Sequence, residues 1–131
     1  MTTTSFAAVE TPPFTAFSPA STSKPGPFIH TDGAMLYRAV CQGCHMPDAR
    51  GARGAGVYPA LAANPKLAGA TLPVARVLNG WAGMPRFADM LSDAQIAAVV
   101  NYVRENFGNR YSNRLSEEDV GRIRESTKPV E

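Results

Sequence analysis

The feature that most constrains this chain is the stretch AVCQGCHMPD, residues 39–48. It contains the only two cysteines of the 131 residues, Cys41 and Cys44, and one of the two histidines, His45. Two thiols three positions apart, followed by an imidazole, form a compact set of nucleophiles and soft metal ligands. Any fold of this chain must therefore hold these three side chains together at one point.

Three chemistries use two cysteines at this spacing. A redox dithiol pairs the thiols with each other, usually within a βαβ unit, and the sequence contains no convincing strand. A structural zinc site needs four ligands, and beyond the motif only His30 remains as a good one. The third chemistry is covalent haem attachment, in which the cysteines form thioether links and the adjacent histidine binds iron. The Cys-x-x-Cys-His pattern favours haem, although so short a pattern also occurs by chance.

Composition is compatible with one domain of unusual loop content. The chain is 44% hydrophobic and 18% charged, which allows a core, but its 11 glycines and 11 prolines predict much loop. A bound porphyrin would add a large apolar element to such a core. The net charge of +2 without a basic run gives no indication of nucleic-acid binding. No stretch approaches the roughly 20 apolar residues of a transmembrane segment.

No signal peptide is visible in the first 30 residues, which have neither a charged n-region nor an apolar h-region. Covalent haem is normally attached after export. We therefore expect a periplasmic protein whose leader peptide is absent from this chain.

The chain divides into three parts. Residues 1–30 form a Pro/Ser/Thr-rich arm, residues 31–108 carry the motif, and residues 109–131 form a C-terminal extension with a short helix. A segment as polar as the arm is normally a flexible tether. Its four phenylalanines instead favour an extended arm that lies on this domain or on a partner. They are Phe6, Phe14, Phe17 and Phe28.

Helix caps and hydrophobic periodicity predict four helices, and several glycines and prolines predict a loop over residues 46–70. The clearest helix is LSDAQIAAVVNYVRENFGN, in which Ser92 and Gln95 form a capping box and Gly108 follows the end. The other three are GAMLYRAV, capped by Thr31 or Asp32; TLPVARVLN, capped by Thr71 and ended by Gly80; and LSEEDVGRIR, capped by Ser116.

In this order, the segments GAMLYRAVCQGCH, YPALAANP, VLNGWAGMPRF and LSDAQIAAVVNYVRENFGN resemble a class I c-type cytochrome. More narrowly, they are similar to the monohaem cytochrome c subunits of bacterial alcohol, gluconate and related periplasmic dehydrogenases, over about residues 31–125. The resemblance implies an all-α class I cytochrome c fold, with three to five short helices wrapped around one covalent haem c. It also implies that the first helix, with Gly33 and Tyr37, crosses the last one at Tyr102.

The resemblance further implies the surroundings of the haem. The carbonyl of Pro59 would accept a hydrogen bond from His45, which fixes the tautomer and makes the imidazole a stronger iron donor. Leu61 would pack on the haem face. Trp81 would either donate its indole N–H to a haem propionate or shield the edge of the ring.

The sixth iron ligand decides between electron transfer and ligand chemistry. Met84 stands in the loop GWAGMPRF, after two glycines and directly before a proline, and matches the ligand position of the resembled family. From the residues alone, Met90, His30 and an open site stay as alternatives. Ligation by methionine and histidine raises the reduction potential relative to two histidines, because the soft thioether favours ferrous iron.

These observations predict a single-haem electron-transfer protein that is not itself an enzyme. As the cytochrome subunit of a periplasmic dehydrogenase, in a hetero-oligomer, it would accept electrons from that enzyme. It would pass them to the respiratory chain through an oxidase or another cytochrome. The alternatives are a free cytochrome that serves several partners, and a haem enzyme or gas sensor with an open sixth site.

Overall fold

The computed structural model describes residues 28–54 and 57–128. The motif lies at the end of its first helix. Asp32 caps this helix, as predicted, because its carboxylate accepts a hydrogen bond of 3.1 Å from the amide of Met35. The helix continues without a break through α1 (Gly33–Leu36), a π-helical turn (Tyr37–Cys41) and α2 (Gln42–His45). We call these three segments together the N-terminal helix. A π-helical turn is frequent at functional sites, and this one ends on the first cysteine of the motif.

Three further helices and a small hairpin complete the described part of the chain. Residues 46–70, predicted as loop, contain two short strands that pair antiparallel and one 3₁₀ turn. Strands of two residues are too short to show an alternating pattern in sequence, which is why they were missed. The elements are β1 (Ala52–Arg53), β2 (Val57–Tyr58), the 3₁₀ turn (Pro65–Leu67), α3 (Thr71–Asn79), α4 (Asp93–Glu105) and α5 (Glu117–Ser126).

The helix starts follow the predicted capping chemistry with one exception, and α4 ends at Glu105, with Asn106 as its C-cap, before the predicted end at Gly108. The capping box of Ser92 and Gln95 starts α4, and Ser116 forms a similar box with Asp119 at the start of α5. The predicted cap of α3 is wrong by one position. Thr71 is already helical, and Ala70 before it provides no side-chain cap.

The core lies where the N-terminal helix crosses α4. Gly33 faces α4 so closely that a Cβ atom built on it would lie 2.7 Å from the Cβ of Tyr102. The rings of Tyr37 and Tyr102 are 5.9 Å apart, so the predicted aromatic contact is present. Phe107 completes a cluster of three rings, at 5.0 Å from Tyr37 and 5.6 Å from Tyr102.

All four helices contribute buried side chains, together with coil residues such as Phe87 and Leu115, which places the core at the common centre of the helices. No helix in the described ranges is long and apolar enough to cross a membrane. The fully or almost fully buried apolar residues include Leu36 of the N-terminal helix, Val74 and Leu78 of α3, Ile96 and Val99 of α4, and Val120 of α5.

Replacing Gly33 with alanine should destabilise the protein by about 1–3 kcal/mol, because the added methyl group meets the backbone of Ala98 and the side chain of Tyr102. Alanine is the better helix former, so a net loss of stability would show that the crowding dominates. Urea unfolding of the purified protein measures the change. Gly69→Ala is the matched control, since nothing lies within 4 Å of a Cβ there. Equal stability of the two variants would contradict the close helix crossing.

Candidate functional site

His45 lies at the end of the N-terminal helix, with its imidazole held by a backbone carbonyl. The Nδ1 atom is 2.9 Å from the carbonyl oxygen of Pro59. A carbonyl can only accept a hydrogen bond, so Nδ1 carries the proton in this contact, and in the neutral imidazole Nε2 keeps its lone pair. The half-buried ring therefore presents one nitrogen that can bind a metal.

The residues that follow the motif also fix the segment that carries Pro59. Gly51 has a φ of +68°, and a Cβ atom there would lie 2.8 Å from the carbonyl carbon of Pro59. Only glycine allows this close approach of the two backbone segments. The carbonyl of Ala49 accepts hydrogen bonds from the amides of Leu61 and Ala62, at 2.7 and 3.0 Å. Leu61, half-buried, packs against the core.

The two cysteines have different surroundings. Cys41 is half-buried, Cys44 is exposed, and both thiols are free. Burial raises the pKa of Cys41 to about 12, with the charge of Cys44 as a smaller cause. A thiol with so high a pKa is neutral near pH 7, whereas thiol–disulfide exchange requires a thiolate. No group of three metal-binding His, Cys, Asp or Glu side chains occurs within the ranges that the structure describes.

The residue after the motif histidine is held by Tyr37. The backbone turns sharply at Met46, whose φ is +72°, and the hydroxyl of Tyr37 donates a hydrogen bond of 2.6 Å to its carbonyl. Burial raises the pKa of Tyr37 to about 12, so the hydroxyl remains a donor at physiological pH. The aromatic cluster at the helix crossing thus also fixes the position of the backbone directly after His45.

Met84 belongs to a tight turn that follows α3. The amides and carbonyls of Trp81 and Met84 pair in both directions, at 3.2 and 2.9 Å. Gly80 with a φ of +73° and Ala82 with a φ of +50° allow the reversal. The side chain of Met84 is half-buried and packs against the core. Trp81 is 64% exposed, and the guanidinium of Arg76 lies 3.8 Å from the centre of its ring.

The other methionines of the described residues and the second histidine occupy different places. Met35 is exposed on the N-terminal helix, and Met46 directly follows the motif. Met90 is half-buried in a turn closed by its amide and the carbonyl of Phe87, at 3.0 Å. The backbone carbonyl of His30 accepts a hydrogen bond from Gln95.

The donor set and its surroundings fit a covalently held porphyrin. The thiols lie one helical turn apart, and nothing lies within 4 Å of a Cβ built on Gly43 between them, so the space there is open. Several large apolar side chains remain exposed on the hairpin, on α3 and in the turn after α3, where an apolar group could cover them. They are Val57, Tyr58, Leu72 and Trp81.

Several polar residues that support the site were missed in the sequence. Asn109 is 3% exposed and hydrogen bonds the segment that follows Pro59. Arg104 is 1% exposed and hydrogen bonds the carbonyls of Leu67 and Ala68. A cap or a periodic pattern does not reveal such residues, because their partners lie far away along the chain. The only local signal was an asparagine directly after the glycine that follows α4.

The chain matches one protein-family model over residues 30–103. The family is described as cytochrome c oxidase, cbb3-type, subunit III. The match includes the motif, Pro59, Met84 and most of α4.

Among curated proteins, the chain is similar to cytochrome subunits of several dehydrogenases. It is 32% identical over 111 residues to the cytochrome c subunit of an alcohol dehydrogenase (quinone) of Gluconobacter oxydans (strain 621H), covering 75% of this chain and 23% of that protein. It is 35% identical over 116 residues to a fructose dehydrogenase cytochrome subunit of Gluconobacter japonicus, covering 76% and 23%. A gluconate 2-dehydrogenase cytochrome c subunit of Pantoea cypripedii is 31% identical over 106 residues, covering 70% and 24%. The chain thus spans less than a quarter of the length of these relatives.

Proposed function

The chain belongs to the c-type cytochrome domain family described by subunit III of the cbb3-type cytochrome c oxidases, and we propose that it carries one haem c as an electron-transfer subunit. Membership of the family implies covalently bound haem c. The observation that carries the proposal is the hydrogen bond between His45 Nδ1 and Pro59, which leaves Nε2 free for iron beside two thiols.

Each residue of the motif has a distinct role in this proposal. Cys41 and Cys44 hold the porphyrin through thioether bonds, and His45 binds iron through Nε2. Pro59 orients the imidazole and increases its basicity. When bound, haem supplies an iron centre that takes up and releases one electron. Leu61 packs on the face of the ring and excludes water, which lowers the local dielectric.

We assign the sixth ligand to Met84. Its turn is closed by two backbone hydrogen bonds with Trp81, which limits the positions that the thioether can reach. As a second protein ligand beside His45, a soft thioether would favour the ferrous state and raise the reduction potential. Trp81, at the start of the same turn, either donates its indole N–H to a propionate or shields the ring edge. The stacked guanidinium of Arg76 holds the indole in place for either role.

We propose a periplasmic dehydrogenase as the electron donor. The similar proteins are cytochrome subunits of alcohol, fructose and gluconate dehydrogenases. In this proposal the chain is not itself an enzyme. It works in the periplasm, in a hetero-oligomer with the dehydrogenase, and passes electrons to an oxidase or another cytochrome of the respiratory chain.

Two alternatives are separated by experiment. A free cytochrome would transfer electrons to several partners without a stable complex. A haem enzyme or gas sensor would leave the sixth position open. The half-buried side chain of Met84, packed against the core, favours a closed site.

Haem should stay attached to the denatured protein. Acid-acetone extraction removes haem that is held only by iron ligands, whereas two thioether bonds survive it. We expect the haem in the protein fraction and a pyridine haemochrome spectrum typical of two thioethers. Replacing Cys41 and Cys44 with alanine is the control and should give extractable haem or none. Extractable haem in the wild type would refute the assignment.

Replacing Met84 with alanine should open the sixth position. We expect loss of the weak sulfur-to-iron absorption band, a lower reduction potential and binding of carbon monoxide to ferrous iron. Met90→Ala is the matched control and should keep the wild-type spectrum, because its side chain lies in the separate turn at Phe87. If Met90→Ala shows these changes and Met84→Ala does not, the ligand is Met90. Ready binding of carbon monoxide by the wild type would favour the enzyme or sensor alternative.

Deleting residues 1–27 should weaken association with the dehydrogenase at least about tenfold, since one buried phenylalanine contributes about 1.5–3 kcal/mol. This deletion keeps Phe28, whose carbonyl accepts a hydrogen bond of 2.8 Å from Gln95. Haem spectra and potential should not change. The measurement is the affinity of the truncated and the complete chain for the enzyme that co-purifies with the native protein. Unchanged affinity would make the arm a tether and favour the free cytochrome.

A further inference from the structure

We propose that Asn109 is a positioning residue for His45, acting through the loop of residues 59–64. The inference rests on the proposed binding of iron by His45. Asn109 lies three residues beyond the C-cap of α4 and does not itself contact the imidazole, so its effect must pass through the backbone of the loop.

The carboxamide of Asn109 joins the loop to α4. Its Oδ1 atom accepts a hydrogen bond from the amide of Asn64 at 2.9 Å. Its Nδ2 atom donates to the carbonyls of Leu61 at 2.8 Å and Val103 at 2.9 Å. Both hydrogens of the amide nitrogen are used, and the side chain is 3% exposed. Water therefore has little access with which to replace these bonds.

The same loop is anchored a second time close to Asn109. The hydroxyl of Tyr111 donates to the carbonyl of Asn64 at 3.1 Å, and the amide of Ala63 donates to the carbonyl of Phe107 at 3.0 Å. The chain just after α4 thus binds the loop at Leu61, Ala63 and Asn64. Asn109 and Tyr111 also bind α4 itself: the side chain of Asn109 donates to the carbonyl of Val103, and the backbone amide of Tyr111 donates to the carbonyl of Arg104.

From Asn64 the restraint continues to Pro59. The Nδ2 atom of Asn64 donates to the carbonyl of Ala60 at 2.9 Å, and Ala60 directly follows Pro59. On the other side, Ala49 accepts from the amide of Leu61 at 2.7 Å. The peptide units after Pro59 are therefore held from two directions. A shift of this segment would move the carbonyl that accepts from His45 and would strain these bonds.

A small displacement of this carbonyl would change the iron ligand. The strength of an N–H···O hydrogen bond depends steeply on distance and angle. As the bond from Nδ1 weakens, the imidazole donates less to iron through Nε2. Ferric iron loses more from this than ferrous iron does, so the reduction potential rises. Asn109 would in this way influence the potential at a distance.

The test compares Asn109→Ala with Asn101→Ala in the haem-loaded protein. Asn101 is a matched control because it is 5% exposed and also makes side-chain hydrogen bonds to backbone. Its bonds, both 2.8 Å, go to the carbonyl and amide of Leu115, away from the loop. In Asn109→Ala we expect solvent exchange of the His45 Nδ1 proton, measured by NMR, to become at least about tenfold faster. The potential should also rise, whereas Asn101→Ala should lose stability without either change.

Unchanged exchange and potential in Asn109→Ala would overturn the proposal, even if that variant were less stable. If the alanine variant does not accumulate with haem, Asn109→Asp takes its place, because it keeps the acceptor for Asn64 and loses both donors. In the wild type, the Nδ1 proton of His45 and the amide proton of Asn64 should exchange through one opening, with equal dependence on denaturant. Independent exchange would also refute the inference. Absence of covalent haem from the wild type would instead refute the proposed function.

Discussion

The hydrogen bond from His45 to the carbonyl of Pro59 is the contact on which the organisation of this domain depends. It requires a helix that ends at the motif and a loop that returns to it from a point 14 residues later. The loop has little regular structure, so it must be fixed by individual polar contacts. Much of the remaining architecture supplies these contacts or the rigid elements from which they are made.

Helix α4 is the main rigid element. Its apolar side packs against the N-terminal helix at Gly33, which sets the place where the motif begins. Its end, and the few residues after it, carry polar side chains that hold three separate coil segments. Asn101 binds the backbone of Leu115, Arg104 binds that of the 3₁₀ turn, and Asn109 binds the loop after Pro59.

Arg104 illustrates what such contacts require. Its guanidinium is almost completely buried and forms no ion pair among the residues that the structure describes. Four hydrogen bonds of 2.6–2.8 Å to carbonyl and amide oxygens take the place of water. Removing a partner from a buried charge is costly, so the arrangement holds only while all its partners stay in position. This makes the coil between the helices as specific in structure as the helices themselves.

The sequence alone determined the helices, and it predicts the chemistry of the motif, because both depend on residues close together in the chain. The capping box at Ser92, the cap at Ser116, the cap at Thr31 or Asp32 and the Cys-x-x-Cys-His pattern are local. The first two are present as predicted, and Asp32 provides the third. The predicted cap at Thr71 is wrong because the sequence pattern does not distinguish the first residue of a helix from the residue before it. Only the tertiary structure decided that Phe107 completes the aromatic cluster, that Arg76 stacks on Trp81 and that Asn109 holds the loop. These contacts join residues through space, and their geometry exists only after the helices have packed.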